Sequence, residues 1–502
     1  MYIHLYNITG CFLGDCIVRC SYKAEKRRQV IVENAQKLLK RRKNMKKKIV
    51  SGILCVAMVA SMLVGCGGSN SDSTESGDAE ETTEESSSDG MTEGKNTFVD
   101  GGTELSLWTF QELHVGFYTE MADKWNEENP DNPINLTVTT GESHSLQSKL
   151  LVACQAGEGT PDMADIEVGY YGSFLKDDYL LPLNDVVEPY EDEVVMSRIN
   201  IYGKDDNWYG IDFHLGASVC YYNMDIMNEA GVDPATIVTW DDYFEAGKTV
   251  LEKTGKPMCA VETADLFLPQ LMMLEKGAQY VDKDGNPNID TDEHADVIDF
   301  IRKMIDAGIC EIAPGGFYHA EEWYGHLNDG GVASLAMPLW YMGRFTDYCP
   351  DLEGKMAIYE IPVWNEGDTR EVLQGGTGTS VLKFTDKADL AKEFLAFAKL
   401  SEEGNKYEWN VLGFDPIRTS LWDDPEITEN KDNKFLKYFQ TNPFDIIKKN
   451  GTDLTAPDIS GGYSATYSTL VSTTYSNAFE NAIDQDAKEL LETEQASIVY
   501  DN

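Results

Sequence analysis

The stretch Glu104-Leu-Ser-Leu-Trp-Thr-Phe110 alternates between apolar and polar side chains, which is typical of a β-strand with one buried face. The chain then changes period: Phe117, Met121 and Trp125 recur every four residues, which places them on one face of a helix. Pro130 follows, and proline commonly stands just after the end of a helix. This segment therefore predicts a strand followed by an amphipathic helix.

The same alternation of strand and helix continues along the chain. Residues 134–140 predict a second strand, residues 146–156 a helix, and residues 163–168 a third strand. Strands that alternate with helices form a largely parallel sheet with helices on its faces. Ligands of such sheets bind beyond the carboxyl ends of the strands, so polar residues at those ends are candidates for a site.

The chain is strongly acidic outside its first segment. It has 502 residues and a formal net charge of -45, yet residues 1–48 contain 13 Lys or Arg and only 3 Asp or Glu. The other residues carry 28 basic and 83 acidic side chains, a surface that repels phosphate backbones and excludes nucleic-acid binding. When a leader and a linker are subtracted, about 400 residues remain, too many for one core and enough for two lobes.

Cysteine spacing gives no sign of a metal site or a redox motif. Five of the ten cysteines lie in the body of the chain, and no pair shows C-x-x-C or zinc-type spacing. The five are Cys154, Cys220, Cys259, Cys310 and Cys349. We interpret them as small buried residues, with one or two disulfides left open, and we expect neither a metal nor a cofactor.

Residues 45–66 resemble the leader of a bacterial lipoprotein. Met45 and three lysines precede about 15 apolar residues, a length typical of a signal peptide and short for a membrane span. The run ends in Leu63-Val64-Gly65-Cys66, which resembles a lipobox. The resemblance implies a signal peptide over residues 45–65, cleaved before Cys66, whose thiol receives diacylglycerol. Acyl chains at Cys66 would anchor the protein to the cell membrane on its extracytoplasmic face.

The segments on either side of this leader differ in composition. Because a signal peptide begins at the N-terminus, we hypothesise that residues 1–44 are translated upstream DNA and that translation starts at Met45. AGG codons at Arg41-Arg42 would form a ribosome-binding sequence; a genuine basic extension is the alternative. From Cys66 to residue 103 the chain is rich in Ser, Gly, Thr, Asp and Glu, which predicts a disordered tether.

Short segments along the body carry a family resemblance. They are Trp108, Trp125-Asn-Glu-Glu-Asn-Pro130, Gly159-Thr-Pro-Asp-Met-Ala-Asp165, Leu181-Pro-Leu183, Trp208-Tyr-Gly-Ile-Asp212, Tyr221-Tyr-Asn-Met-Asp-Ile-Met-Asn-Glu-Ala-Gly231, Thr239-Trp-Asp-Asp242, Ala333-Ser-Leu-Ala-Met337 with Trp340, and Ala388-Asp-Leu-Ala-Lys-Glu-Phe-Leu395. In this order and spacing they resemble the family-1 extracellular solute-binding proteins of bacterial ABC importers, the group that includes maltose-binding protein. The resemblance covers about residues 105–498.

The resemblance implies an α/β fold of two lobes, the periplasmic-binding-protein-like fold, with a hinge and an interlobe cleft. The first lobe is expected over residues 104–212 plus 376–425. The second is expected over residues 215–372 plus 430–500. The chain would cross between the lobes near residues 212–215 and again near residues 372–376.

The resemblance also implies a function. We expect the extracytoplasmic substrate-binding subunit of an ABC transporter, which captures a carbohydrate, by preference an oligosaccharide, as its lobes close and delivers it to permease transmembrane subunits. This role requires neither catalysis nor a cofactor, and we expect a monomer. The alternatives are an exported glycoside hydrolase with two carboxylates at the bond, and a lipoprotein that binds a non-sugar solute such as a peptide or acts as an adhesin.

Sugar recognition combines aromatic rings, which stack on the C–H faces of a sugar, with polar side chains that hydrogen-bond its hydroxyl groups. Residues of both kinds stand at strand exits and at the lobe crossings. Trp340 lies in the segment whose tryptophan stacks on sugar in the family. The predicted ligand contacts are Glu112, His114, Glu167, Tyr170, Asp212, His214, Trp340, Tyr341, Gly375, Gly376 and Thr377.

One acidic stretch imitates a calcium loop. Asp282, Asp284, Asn286 and Glu293 fall at the ligand positions of such a loop, but Pro287 stands where the loop requires glycine. A hairpin turn built on an Asp-Gly pair explains the stretch better than calcium binding.

Overall fold

A computed structural model of the chain describes residues 91–452 and 454–500. The hypothetical extension, the predicted signal peptide, Cys66 and the predicted tether up to residue 90 lie outside the described residues. Within the described part, no helix combines the length and apolar composition that a membrane span requires.

The described residues form twelve β-strands. They are β1 (Thr92–Lys95), β2 (Thr103–Thr109), β3 (Ile134–Thr140), β4 (Met163–Glu167), β5 (Gly203–Lys204), β6 (Asn207–Trp208), β7 (Ser218–Asn223), β8 (Cys259–Val261), β9 (Cys310–Ile312), β10 (Ser334–Pro338), β11 (Met356–Glu360) and β12 (Thr377–Val381).

The same residues form eighteen α-helices. They are α1 (Glu112–Glu128), α2 (Ser143–Ala156), α3 (Val168–Lys176), α4 (Asn184–Val187), α5 (Met196–Asn200), α6 (Met224–Ala230), α7 (Trp240–Thr254), α8 (Phe267–Glu275), α9 (Asp292–Asp306), α10 (Glu321–Asn328), α11 (Met342–Tyr348), α12 (Ala388–Leu400), α13 (Glu402–Tyr407), α14 (Pro425–Thr428), α15 (Lys434–Tyr438), α16 (Pro443–Asn450), α17 (Tyr463–Thr469) and α18 (Ala487–Ser497).

The first lobe is built on a five-stranded sheet in the order β1-β3-β2-β4-β12. Strand β2 pairs in parallel with β3 and β4, while β1 and β12 run antiparallel at the two edges. Leu105 and Leu107 alternate along β2 and are both buried. The apolar alternation in the sequence is therefore the inner face of the central strand.

Helix α1 covers this sheet and begins one turn before the predicted start. Its buried face carries Phe117, Met121 and Trp125, the three residues that predicted it. Trp125 Nε1 donates to the carbonyl of Asn132 at 2.9 Å, which fixes the loop into β3. The helix therefore packs through the residues whose spacing predicted it. Because it begins at Glu112, the residues before Phe117 are helical as well.

The folded body begins earlier than the sequence predicted. Residues 92–95 form β1 along β3, so the tether prediction is wrong from residue 91 onward. Most side chains of β1 are exposed, and no hydrophobic pattern marks the strand. Backbone pairing holds it, and Asn135 secures the turn that follows by accepting from the backbone of Val99 at 2.9 Å and donating back to it at 3.1 Å.

The second lobe centres on β7. Strands β10 and β11 pair antiparallel with it on either side, and β8 pairs in parallel with β9. All residues of β7 are buried, as expected of a strand covered on both faces. Helix α7 begins with a capping box formed by Thr239 and Asp242. Trp240, the first residue of this helix, is buried, and its Nε1 donates to the carboxylate of Glu275 at 2.7 Å.

The five body cysteines are buried free thiols, which confirms their interpretation as small core residues. The acidic stretch is a hairpin: Val281 pairs with Pro287, and Asp282 Oδ1 accepts from the backbone N–H groups of Asp284 and Asn286 at 2.9 Å. Among the described residues, no group of three or more His, Cys, Asp or Glu is placed to hold a metal ion.

Two chain segments, residues 212–217 and 372–377, run side by side between the sheets, and together we call them the hinge. Ala217 pairs with Leu373 across it. A third segment joins them, because Asp415 Oδ2 accepts the backbone N–H of Ala217 at 2.9 Å. The lobes are thus connected by adjacent, paired chain segments.

The lobes also touch where α3 of the first packs on α17 of the second. A Cβ atom at Gly169 would lie 2.8 Å from the ring of Tyr467, and one at Gly172 would lie 2.6 Å from the carbonyl oxygen of Ile459. The second contact is with backbone, which cannot move aside as a side chain can. The approach of α3 to the second lobe therefore requires glycine at residue 172.

We predict that Gly172→Ala lowers the free energy of unfolding by about 1–3 kcal/mol, because its methyl group overpacks this contact. Gly116→Ala is the matched control: Gly116 is also helical, and its Cβ would meet nothing within 4 Å. There alanine should stabilise the protein by roughly 0.5–1 kcal/mol through its helix propensity. Urea unfolding of both variants measures the difference, and a neutral Gly172→Ala would contradict the tight contact.

Candidate ligand-binding site

A buried ion pair lies at the first crossing. Arg198 and Asp212 are both buried, with Arg198 Nη2 at 2.7 Å from Asp212 Oδ2. The same carboxylate accepts from the Tyr202 hydroxyl and from the backbone N–H groups of Phe213 at 2.7 Å and Thr377 at 3.2 Å. Burial alone would raise the pKa of Asp212, but the Arg198 guanidinium holds it below its usual value. These bonds occupy the acid, so the structure places Asp212 and Thr377 inside the hinge rather than in an open cleft.

Two glycines complete this part of the hinge. Gly375 has φ +66° and Gly376 has φ +137°, conformations that favour glycine. The carbonyl of Gly375 accepts from Arg198 Nη2 at 2.7 Å, and a Cβ on Gly376 would collide with the guanidinium. Gly376 therefore serves the packing of the ion pair. Gly375 lies under the ring of Trp340, whose Nε1 would be 3.1 Å from an added Cβ.

His114 lies in the core of the first lobe and not in the cleft that the sequence predicted for it. It is 3% exposed, its Nδ1 lies 2.9 Å from Asp165 Oδ2, and its ring stacks on Phe213 with centroids 3.9 Å apart. Tyr118 donates to the same carboxylate at 2.6 Å. Because α1 begins at Glu112, its first turn directs His114 toward the sheet and leaves Glu112 exposed.

Tyr341 is likewise a core residue. It is 0% exposed, its hydroxyl donates to the carbonyl of Tyr318 at 2.5 Å, and it accepts from Trp323 Nε1 at 3.0 Å. The short 3-10 turn over residues 339–341 sends adjacent side chains in different directions, so Trp340 faces outward while Tyr341 faces the core. The prediction of Tyr341 as a ligand contact is therefore wrong.

The space between the lobes, which we call the interlobe cleft, is bordered on the first lobe by Glu167 and Tyr170. Both are half-buried at the carboxyl end of β4. Glu167 Oε2 accepts from the hydroxyl of Ser143 at 2.6 Å, and the Tyr170 hydroxyl lies 3.2 Å from His144 Nδ1. Burial raises the pKa of Glu167, and burial with the nearby Glu167 charge raises the pKa of Tyr170 to about 12.

Across the cleft, the second lobe presents groups that the sequence reasoning missed. Asp265 follows β8, and burial followed by the negative charge of Glu167 raises its pKa to about 7. The charge of Glu167 on the first lobe therefore influences Asp265 on the second. Burial, followed by the negative charges of Asp265 and Glu167, raises the pKa of the half-buried Tyr467. Its hydroxyl has no hydrogen-bond partner among the described residues. The strand-end rule applied to the first lobe could have found Asp265.

At the hinge end of the cleft, Trp340 lies among imidazoles. It is half-buried and packs against the apolar clusters of both lobes. Its ring is nearly parallel to that of His319, with centroids 5.8 Å apart, and lies 6.1 Å from that of His214. Burial lowers the pKa of each histidine to about 3, so both rings are neutral. His214 Nδ1 is buried and has no partner within the described structure.

This arrangement suits a ligand with apolar faces and many hydroxyl groups. An indole face, neutral imidazoles and carboxylates from two lobes can stack, donate and accept without any change of covalent bonds. Two α/β lobes joined by paired strands, with such groups between them, define a two-lobe solute-binding protein.

Comparison with known sequences agrees with this class. Residues 112–405 match the family described as bacterial extracellular solute-binding protein, and the chain belongs to that family. It is 48% identical over 365 residues to the arabinooligosaccharide-binding protein of Halalkalibacterium halodurans, covering 72% of this chain and 81% of that one. It is 45% identical over 348 residues to the protein of the same name from Bacillus subtilis, covering 69% and 80%.

Known structures agree as well. A binding protein associated with an ABC transporter of B. animalis subsp. lactis, solved in complex with beta-1,6-galactobiose, superposes with a TM-score of 0.64 at 20% identity. The match covers 80% of this chain and 97% of that chain, and it shows the fold. The predicted family and the predicted two-lobe α/β fold are confirmed, as is the role of a binding protein that acts outside the cytoplasm.

We predict that Asp265→Asn raises the thermal midpoint at pH 8 by about 2 °C and by less than half as much at pH 5. The folded protein holds the pKa of Asp265 above its unfolded value, so this acid reduces stability as pH rises from about 4 through about 7. Asparagine cannot ionise, so Asp265→Asn removes this loss of stability at high pH. Glu229→Gln, which neutralises an exposed helical acid in the same lobe, is the control, and equal shifts in both variants would contradict the prediction.

Proposed function

We propose that this protein is the substrate-binding subunit of an ABC importer that captures an arabinooligosaccharide in its interlobe cleft. The observation that carries the proposal is the half-buried Trp340, which is flanked by two neutral imidazoles. Support for the ligand class comes from the two relatives at 48% and 45% identity, both named as arabinooligosaccharide-binding proteins.

In this proposal, one sugar ring stacks on Trp340, and its hydroxyl groups bond to polar side chains of both lobes. Glu167 and Asp265 accept from hydroxyls on either side of the cleft, and His214 Nδ1 gains the partner that it lacks. Tyr170 adds a second aromatic border. Glu112, exposed on the first turn of α1, remains a predicted contact at the cleft mouth.

Capture works by closure. A ligand that touches Glu167 on one lobe and Asp265 on the other stabilises the closed arrangement more than the open one and so shifts the population. The bend would take place in the hinge, where two chain segments run side by side. The closed form, with its sugar, would be what the permease transmembrane subunits recognise. No bond is made or broken, and the protein needs no cofactor and acts as a monomer.

Hydrolysis of the glycoside is the second candidate. Burial and then the negative charge of Glu167 raise the pKa of Asp265 to about 7, as in a carboxylate pair that divides acid and base roles. Release of reducing sugar from the bound oligosaccharide would favour this candidate. Binding without any product over many hours favours capture.

We predict that arabinooligosaccharides raise the thermal midpoint by several degrees, because ligand at a hundredfold its Kd adds about 2.7 kcal/mol to the free energy of unfolding. Trp340→Ala should weaken binding about tenfold or more, since the stacking face is lost. Trp364→Ala is the control, because Trp364 lies away from this site and donates to the carbonyl of Met272. If no sugar raises the thermal midpoint of the wild-type protein, the proposed ligand class is wrong.

We further propose that Cys66 carries the lipid anchor, as its lipobox implies. Full-length protein expressed in a bacterium should partition into the detergent phase of a membrane extract, and Cys66→Ser should release it to the aqueous phase. Cys55→Ser, which changes a cysteine inside the apolar run, should leave partitioning unchanged. An anchored Cys66→Ser protein would contradict acylation at this residue.

A further inference from the structure

One stripe of α11 and the turn before it is only partly buried. Trp340, Arg344 and Tyr348 follow each other at four-residue spacing, which places them on one helical face. Trp340 and Arg344 are half-buried and Tyr348 is 49% exposed. The residues between them that turn to the core are Leu339, Tyr341, Met342, Gly343 and Phe345. The stripe runs outward from the tryptophan of the proposed sugar site.

Arg344 is a cation without a protein partner. Within residues 91–452 and 454–500 it forms no ion pair and no hydrogen bond, and its Nε is buried without a partner. This is unusual in a chain with 86 Asp and Glu. A guanidinium offers five N–H donors, and leaving them unused in a half-buried place is costly unless a ligand takes them.

The positive charge of Arg344 lowers the pKa of one histidine in each lobe. After burial, its positive charge is the next cause that lowers the pKa of His319 in the second lobe. It is also among the smaller causes that lower the pKa of His114 in the first lobe, after burial. The geometry of α11 agrees, because a Cβ on the adjacent Gly343 would lie 3.3 Å from the carbonyl oxygen of Leu412 in the first lobe.

Tyr348 continues the aromatic surface that begins at Trp340. Its ring stacks on that of Tyr324 in α10, with centroids 4.3 Å apart and an angle of 10°. The Tyr324 hydroxyl lies 3.3 Å from His319 Nδ1, and His319 is in turn nearly parallel to Trp340. Four rings are thus linked in sequence, from Trp340 through His319 and Tyr324 to Tyr348 near the end of α11.

We propose that Trp340, Arg344 and Tyr348 form a track that holds sugar units beyond the one on Trp340, so that the preferred ligand is a neutral oligosaccharide of three or more units. Eight residues of helix span about 12 Å, longer than a single sugar ring. Arg344 would donate to hydroxyl and ring oxygens, and Tyr348 would stack on the C–H face of an outer unit. This inference rests on the proposed function.

The test is calorimetric titration of the full-length protein in detergent with arabinooligosaccharides of two, three, four and five units. Wild-type affinity should rise from the two-unit to the longer ligands. Tyr348→Ala should lower affinity for the longer ligands about three- to tenfold, and Arg344→Gln about tenfold or more. Binding of the two-unit ligand should change little in Tyr348→Ala, and in Arg344→Gln it should fall less than binding of the longer ligands, because only its second unit can reach Arg344.

Two further variants control for damage to the fold. Tyr348→Phe keeps the ring and should bind as the wild type does. Asp347→Asn changes the neighbouring residue on α11, which faces away toward Lys434, and should also have no effect. Thermal midpoints near the wild-type value show that each variant is folded.

The outcomes separate the two proposals. A wild type that binds none of the series overturns the proposed ligand class, and this inference with it. A wild type that binds all lengths equally, with Arg344→Gln and Tyr348→Ala unchanged, overturns the track alone. An equal loss for the two-unit and longer ligands also overturns it, because the residues would then serve the first sugar and not an extension.

Discussion

The buried pair of Arg198 and Asp212 is the interaction on which the rest of the molecule depends. It lies where the chain first leaves one lobe for the other, and through Tyr202 and Gly375 it binds helix, hinge and returning strand into one unit. A charge buried in a protein is tolerated only when it is paired and hydrogen-bonded, and Asp212 meets that condition. The pair leaves room for no side chain at Gly376, so the backbone of the return crossing is set by it.

The ion pair lies between the core of the first lobe and the interlobe cleft, and the polar groups of these two regions differ. Behind the hinge, polar groups such as Asp165 have internal partners. In front of it, His214 Nδ1, the Tyr467 hydroxyl and Arg344 have none within the described residues. Burial keeps the imidazole of His214 neutral, so it can accept or donate. Buried polar groups without a partner call for an explanation, and a ligand bound in the cleft would supply one for these three.

Much of the fold was legible in the sequence because its periodicities are strong. The alternation along β2 and β3 and the spacing of Phe117, Met121 and Trp125 each predicted an element that the structure contains. Strand β1 escaped notice because its side chains face solvent and only its backbone is used. Hydrophobic patterns cannot reveal a strand that buries nothing.

The site was harder to read, since the direction of a side chain depends on where a helix begins. A shift of one turn in the start of α1 moves His114 from the cleft to the core, and a single step along a turn separates outward Trp340 from inward Tyr341. Asp265 and Arg344 lie in the second lobe, where the resemblance supplied no motif for them. Their importance appears only when charges distant in the chain are placed near each other.

The order of strands in the first sheet has a consequence for how the protein is made. Strand β4 ends at Glu167, but its neighbour β12 is not synthesised until residues 377–381, after the whole of the first stretch of the second lobe. The sheet of the first lobe therefore cannot be completed until the ribosome has synthesised all the residues between β4 and β12. A topology that postpones completion of the first lobe keeps the new chain unfolded for longer, which suits export in an extended form.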